Sequence, residues 1–289
     1  MTPGALNSRR LRIVHHSGYN YADTVTASFN EARMTPLTGD GQLLIDHSLS
    51  VDPNAAVLRY VDYWGAEVAA FDVQQPHTQL EVVAESLVDT APAQQLPAGA
   101  RWADLADIAV TDRWCEFLTT TSYVDDPLVD EARAGLVDQL LALPHPSDAI
   151  NRVVELVRDR ITYTPGVTTV STTAAEAWQA EHGVCQDFTH ATLSLLRAIG
   201  IPARYVSGYL HSEKDSLGET VLGESHAWVE AWDGGWHAYD PTNDRRVGAA
   251  HVVVARGRDY ADVPPLKGIY AGGPSEALGV RVEITQLPR

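Results

Sequence analysis

The sequence predicts an α+β fold with two parts, an antiparallel β-rich domain over residues 1–91 and a second domain over residues 100–289. In the first part, short runs of β-branched and aromatic residues alternate with turn clusters at a spacing of about ten residues. In the second part, helical periodicity comes first and strand patterns follow Gly200. Helices grouped before strands favour α+β over an alternating α/β arrangement.

The first part is expected to form an antiparallel sandwich or sheet. Its predicted strands are Leu11–Val14, Val25–Phe29, Leu43–Val51, Val57–Tyr63, Val68–Val73 and Leu80–Val88. This region does not group His, Cys and carboxylate residues as a metal site would, so we expect a structural or substrate-shaping role. The Pro-, Ala- and Gln-rich segment Pro92–Gly99 is typical of a linker.

The second part is expected to begin with helices. Leucines and alanines three to four residues apart predict a helix over Leu128–Leu143, and a second helix opens at Pro146, with Ser147 as its N-cap. A short helix over Ala174–Ala180 and the helix that contains Cys185 follow. The predicted strands are Ala203–Leu210, His226–Trp232, Trp236–Asp240, His251–Ala255 and Leu278–Thr285.

Composition and charge limit the classes of function. The chain of 289 residues has 38 acidic and 21 basic residues, a formal net charge of −17, which disfavours nucleic acid and anionic membrane surfaces as partners. We find no apolar run of membrane-spanning length and no secretory signal after the N-terminal arginines. Two cysteines do not make a disulfide scaffold. We therefore expect a soluble, cytoplasmic protein.

Cys185 lies where a reactive thiol is expected. The segment Gly183–Phe188 precedes an amphipathic run that ends at Gly200, so Cys185 falls in the first turn of a helix. Free backbone N–H groups and the positive end of the helix dipole favour an anion there, and therefore the thiolate form of a cysteine. Gly183 allows a substrate carbonyl to approach the backbone closely. A buried, inert cysteine is the alternative on this segment alone.

A histidine and an aspartate on a predicted hairpin favour catalysis. The strand that begins near His226 is followed by Asp233-Gly234-Gly235, a hairpin signal, and by the strand that ends at Asp240. A three-residue loop places Asp240 on the same face as His226, whereas a two-residue loop at 234–235 places it on the opposite face. The chemistry predicts the three-residue loop, or an equivalent bulge, and a Cys185-His226-Asp240 triad for nucleophilic acyl transfer.

Four motifs resemble the bacterial transglutaminase-like superfamily. They are Gly183–Phe188, Ile201–Tyr209, Ser225–Glu230 and Tyr239–Thr242, within a similarity that extends over about residues 145–260. The β-rich first 90 residues resemble the N-terminal region found beside this core in many bacterial members. The resemblance implies a papain-like core, a helix bundle packed on an antiparallel sheet. It also implies Cys185 as nucleophile, His226 as general acid and base, and Asp240 as the group that orients the histidine.

The site residues are predicted individually, whereas several reactions are compatible with them. By analogy with bacterial members, we expect hydrolysis of peptide or isopeptide amide bonds in a peptide or protein substrate through a Cys185 thioester. An amine-accepting protein-glutamine transglutaminase and a non-catalytic peptide-binding module on the same fold are the alternatives. We expect an enzyme that needs no cofactor and no metal. Calcium in particular is disfavoured, because the sequence has no Asp-x-Asp-x-Asp-Gly loop.

Secondary roles are also expected around the nucleophile. The Cys185 N–H is the natural first oxyanion donor, and Tyr163 or Gln186 could supply the second. Cys115 is expected to be a packed, inert thiol, and His190 a structural residue.

Overall fold

The computed structural model describes residues 8–91, 99–124, 131–212, 217–223, 225–243 and 245–288. Its helices are α1 (Trp102–Leu105), α2 (Ile108–Arg113), α3 (Glu131–Leu141), α4 (Pro146–Arg160), α5 (Ala174–Ala180) and α6 (Cys185–Ala198). The first six strands are β1 (Arg9–Val25), β2 (Ala27–Ala32), β3 (Gln42–Asp52), β4 (Val57–Val61), β5 (Glu67–Val73) and β6 (His77–Thr90).

The remaining strands follow α4. They are β7 (Thr162–Tyr163), β8 (His182–Gly183), β9 (Ala203–Leu210), β10 (Thr220–Gly223), β11 (Ser225–Trp232), β12 (Trp236–Asp240), β13 (Arg245–Arg246), β14 (His251–Gly257), β15 (Leu266–Ala271), β16 (Ser275–Ala277) and β17 (Arg281–Leu287). The mixture of helices and antiparallel sheets confirms the predicted α+β class.

Three antiparallel sheets form the framework. The large sheet has the order β10-β17-β1-β6-β3, with β16 also paired to β1, and the small sheet has the order β15-β2-β5-β4. The central sheet has the order β13-β12-β11-β9-β14. Strands β7 and β8 form a short parallel pair beside the start of α6.

Helix α6 is the centre of the larger core. Its residues from Asp187 to Arg197 are buried, and it packs against β11 and β9 on one side and α4 and α5 on the other. It ends at Ala198, and Gly200 after its C-cap has a φ of 76°, which allows the Ile201 N–H to bond back to the Leu196 carbonyl and the Gly200 N–H to the Arg197 carbonyl. The helix carrying Cys185 is therefore held firmly at its C-terminal end.

Strands late in the chain complete sheets begun by the first part. Strand β17 pairs with β1 from Arg10↔Leu287 to His16↔Arg281, and β15 pairs with β2. The division at residues 91 and 100 stays a prediction, but the two parts share sheets. The expected linker falls almost entirely outside the described residues, as does the start of the helix expected at Leu128.

One predicted helix start is wrong. Helix α4 has His145 at its N-cap and Pro146 in the first helical turn, whereas Ser147 lies inside the helix. Proline suits the first turn because its φ is already near the helical value and its missing N–H would have had no acceptor there. Among the described residues, no helix has both the length and the apolar character needed to cross a bilayer.

Candidate active site

The first turn of α6 presents Cys185. Val184 is the N-cap, and its N–H donates to Asp187 Oδ2 at 2.7 Å. The Thr168 hydroxyl donates to the same oxygen, also at 2.7 Å. A Cβ on Gly183 would lie 2.6 Å from the Asp187 Cβ, so glycine is needed for this close packing. Burial raises the pKa of Asp187, while the hydrogen bonds from Val184 and Thr168 oppose the rise.

The hairpin β11-β12 has the register that the chemistry requires. Trp232 pairs with Trp236 and Val229 with Tyr239, so residues 233–235 form the loop and Asp240 continues the register opposite Trp228. Gly234 in this loop has a φ of 78°. The predicted three-residue loop is confirmed, and it brings Asp240 to the face of the sheet that carries His226.

The three predicted site residues come together. His226 Nε2 lies 2.9 Å from Asp240 Oδ2, and both side chains are buried. Cys185 Sγ lies 4.0 Å from the carbonyl oxygen of Ser225, the residue before His226, and the thiol is one of the groups that raise the pKa of His226. Because Nε2 faces the carboxylate, Nδ1 is the nitrogen left for the thiol. Cys185 itself is partly exposed, so a substrate can reach its sulfur.

The electrostatics of the site favour a charged histidine. Burial acts to lower the pKa of His226, but the hydrogen bond with Asp240 and the hydrogen bond and charge of Cys185 outweigh it and raise the pKa to about 9. Burial acts to raise the pKa of Asp240, but hydrogen bonds with His226 and His251 hold it well below its usual range. The arrangement therefore favours a protonated His226 beside an ionised Asp240.

Two residues that the sequence analysis did not select complete the surroundings of Asp240. His251 Nε2 lies 3.2 Å and Asn243 Nδ2 3.1 Å from Asp240 Oδ2. The N–H groups of Thr242 and Asn243 donate to Oδ1 at 3.0 and 3.2 Å. The turn following Asp240 was a possible sequence signal for the latter contacts, because aspartate often accepts from residues two or three positions on.

The donor set His226, Asp240 and His251 does not fit a metal ion, although the three ligand atoms lie within 4.8 Å of one another. The Gly248 N–H donates to His251 Nδ1 at 3.3 Å, so Nδ1 is the acceptor and Nε2 carries the proton. A metal-bound histidine needs the opposite arrangement, with Nε2 free of its proton and Nδ1–H donating. The cluster is therefore a hydrogen-bonded network.

Three groups near the thiol are candidates to stabilise an oxyanion: the Cys185 N–H and the side chains of Gln186 and Tyr163. The Cys185 N–H lies in the first helical turn, where the helix itself supplies no acceptor. Gln186 Nε2 donates to the Val170 carbonyl at 3.0 Å, so this side chain also holds the neighbouring loop. Tyr163 is 49% exposed, with its ring 6.5 Å from that of Phe188. Both remain candidates for the second donor.

His190 and Cys115 are the other two residues for which the sequence analysis led to an expectation. His190 is fully buried between the rings of Tyr123 and Tyr205, and burial lowers its pKa to about 3. This agrees with its expected structural position. Cys115 was expected to be packed, and that expectation is wrong: its thiol is exposed, in a short turn after α2. Phe117 is the buried residue of this turn, whereas Cys115 is on its exposed side.

A cysteine at the start of a buried helix, packed on an antiparallel sheet, defines the class of Cys-dependent enzymes with a papain-like core. Comparison with known proteins narrows this class. A profile of the transglutaminase-like superfamily matches residues 135–241, and one of the bacterial transglutaminase-like N-terminal region matches residues 11–89. The chain belongs to the transglutaminase-like superfamily.

Individual relatives agree with this assignment. The chain is 45% identical to the uncharacterized protein ML0607 of Mycobacterium leprae, over 96% of this chain and 99% of that protein. A candidate cysteine protease from Cytophaga hutchinsonii shares the fold, with a TM-score of 0.75 at 22% identity, over 98% of this chain and 92% of that one. A Pseudomonas aeruginosa protein-glutamine gamma-glutamyltransferase is 43% identical over 65 residues, which are 21% of this chain and 10% of that protein.

Proposed function

We propose that the protein is a cysteine-dependent enzyme that hydrolyses peptide or isopeptide amide bonds through a thioester on Cys185. The supporting observation is the 2.9 Å contact between His226 and Asp240 on a hairpin whose Ser225 carbonyl lies 4.0 Å from Cys185 Sγ. This geometry supplies a nucleophile, a proton carrier and an orienting carboxylate.

Acylation would proceed from the thiolate-imidazolium pair. Cys185 Sγ attacks the amide carbonyl carbon, and the electron pair of the C=O bond moves to oxygen, which the Cys185 N–H stabilises. When the tetrahedral intermediate collapses, the C–N bond breaks and the leaving nitrogen takes the proton from His226 Nδ1. The products of this half are a free amine and an acyl-thioester, with His226 neutral.

Deacylation would use the same residues in reverse. Neutral His226 accepts a proton from water as the water oxygen attacks the thioester carbonyl. Collapse breaks the C–S bond, releases the carboxylic acid and restores the thiolate beside an imidazolium. An amine that replaces water at this step would make the enzyme a transglutaminase, an alternative supported by the local similarity to the Pseudomonas aeruginosa enzyme.

The reaction is tested with peptide and isopeptide libraries, and with a glutamine peptide plus a fluorescent amine. We expect cleavage or ammonia release that depends on Cys185 and is lost in Cys185→Ser. Formation of the amine conjugate in preference to hydrolysis would favour the transglutaminase. Activity that survives in Cys185→Ser would contradict the proposal, and binding of peptides without turnover would favour the non-catalytic module.

The thiolate is tested without a substrate by alkylation with iodoacetamide at pH 6. Cys115 provides an internal control, because its thiol is exposed and lies in a turn that contains no histidine. We expect Cys185 to be labelled faster than Cys115, and His226→Ala to abolish the difference, since the imidazolium stabilises the thiolate. Equal rates in the unmodified protein would contradict an activated nucleophile.

We also propose that the protein acts in the cytoplasm. Its two cysteines are both free thiols, and a reducing compartment would keep the nucleophile from oxidation. Fractionation of cells that express the chain natively tests this, and recovery in an exported fraction would contradict it.

A further inference from the structure

His251 is a buried histidine that the proposed reaction does not use, and it lies against the carboxylate that orients His226. We propose that His251 is a positioning residue, which fixes the Asp240 carboxylate and limits its attraction for the His226 proton by donating from Nε2 to Oδ2. This inference rests on the proposed function, because it assigns a role within the same site.

The hydrogen bonds of His251 determine its tautomer. Its Nδ1 accepts from the Gly248 N–H at 3.3 Å, so the proton of the neutral ring must be on Nε2. Nε2 lies 3.2 Å from Asp240 Oδ2, the same oxygen that faces His226. Two imidazole N–H groups therefore converge on one carboxylate oxygen, and the backbone prevents His251 from offering a lone pair there.

The central sheet holds His251 in place. His251 begins β14 and pairs with Leu210 of β9, and its ring contacts the edge of Trp228 at 5.3 Å between centroids. A Cβ on Gly208 would lie 2.0 Å from the Val252 carbonyl oxygen and 2.7 Å from the Trp228 ring. Glycine at 208 thus allows β14 and Trp228 to approach closely enough for His251 to reach Asp240.

The Nε2–H of His251 reduces the negative charge that Asp240 presents to His226. Among the residues that the structure describes, the titratable groups that bear on His226 are Cys185 from α6, Asp240 from β12 and, through Asp240, His251 from β14. Trp228 stacks on the His226 ring and carries no charge. A donor on Oδ2 spreads the negative charge of Asp240 and weakens its attraction for the His226 proton. Without it, His226 should hold its proton to higher pH and release it less readily to the leaving nitrogen.

The test compares His251→Leu, which removes the donor, with His251→Gln, whose amide N–H can occupy the position of Nε2. Titration of 15N-labelled His226 by NMR should show its pKa rising by about one unit in His251→Leu and returning to the original value in His251→Gln. With a substrate, His251→Leu should lower kcat about ten-fold and leave KM unchanged. It should also move the alkaline inflection of the pH–rate profile to higher pH. A purely structural role would lower stability and leave the His226 titration in place.

Three outcomes would overturn the inference. The first is an unchanged His226 titration in His251→Leu, and the second is an equal shift in both variants. The third is measured on the unmodified protein, so that it holds even if His251→Leu does not fold. NMR at pH 7 should find the Nε2–H tautomer of His251. The Nδ1–H tautomer would contradict the proposal. These NMR measurements need no substrate, so they separate failure of this inference from failure of the proposed amide chemistry.

Discussion

At the residue scale, His15 connects two sheets. It lies on β1 with 1% of its surface exposed, and its Nδ1 is 2.9 Å from the Tyr209 hydroxyl on β9. Its Nε2 has no hydrogen-bond partner among the described residues. Burial, together with the charge of His16, lowers the pKa of His15 to about 4. The ring is therefore neutral at pH 7 in the folded protein, whereas in the unfolded chain it gains a proton near pH 6.5.

This difference predicts acid sensitivity. The unfolded chain binds the proton first as the pH falls, so stability is lost between about pH 6.5 and pH 4, by about 3 kcal/mol from His15 alone. His15→Leu should lower the free energy of unfolding at pH 7 by about 1–3 kcal/mol, because the Tyr209 hydroxyl loses its partner, and should flatten the pH dependence. Urea unfolding at several pH values measures both effects. The exposed His182→Asn is the control, and an unchanged slope in His15→Leu would refute the assignment.

His226 predicts the alkaline limit of catalysis. Because its pKa is about 9, the imidazolium that protonates the leaving nitrogen disappears above that pH, and kcat/KM should fall there. Asp240→Asn removes the charge that holds the proton, so the alkaline inflection should move to lower pH and the rate should fall ten-fold or more. A pH–rate profile of both proteins makes the measurement. A downward inflection that stays near pH 9 in Asp240→Asn would contradict this role.

At the element scale, the start of α6 depends on the glycine that precedes it. Gly183→Ala would place a methyl group 2.6 Å from the Asp187 Cβ, so the cap that holds the first turn must move. We expect kcat/KM to fall about 100-fold, since small displacements of a reacting group are costly, and stability to fall by about 1–3 kcal/mol. Gly135→Ala in α3 is the control, because a Cβ there meets nothing within 4 Å. Full activity in Gly183→Ala would contradict the need for close packing.

Local signals explain which elements could be predicted. The hairpin β11-β12 was predictable because its turn residues and its apolar and aromatic strand residues lie within 16 consecutive residues. Helix α6 was predictable because its start and stop signals are both local. The N-cap of α4 was placed two residues late, at Ser147 and not at His145, because two helix-starting residues, Pro146 and Ser147, are adjacent. His251 could not be selected, since its approach to Asp240 depends on β14 reaching the edge of the central sheet beside β9.

At the scale of the whole molecule, the first part of the chain supports the strand that carries His251. Gln42 Nε2 donates to the Val253 carbonyl at 2.8 Å, and its Oε1 accepts from the Val253 N–H at 2.8 Å. The Thr90 hydroxyl donates to the Ala249 carbonyl at 2.6 Å, just before β14. The Gln42 side chain, with the Leu37 N–H that donates to the same Val253 carbonyl at 3.0 Å, thus takes the place of a neighbouring strand at the edge of the central sheet.

This contact makes catalysis depend on a residue remote in sequence. Gln42→Ala leaves the Val253 N–H without its acceptor, whereas the Val253 carbonyl keeps the Leu37 N–H, and we expect a loss of about 2 kcal/mol in the free energy of unfolding. We also expect reduced kcat, because β14 positions His251. Gln79→Ala, an exposed glutamine on β6, is the matched control and should change stability by less than about 0.5 kcal/mol. Wild-type stability in Gln42→Ala would contradict the support of β14 by the first part.

The pairing of β17 with β1 has a consequence for the order of synthesis. Strand β1 lies between β6 and β17 in the large sheet, and β17 leaves the ribosome after every other strand described. At about 5–20 residues per second, the edge of β1 that β17 covers waits on the order of 10–50 s for this partner. The large sheet is thus completed only after translation has passed the proposed catalytic residues. Until then, the backbone N–H and C=O groups along that edge of β1 are unpaired and could pair with another chain.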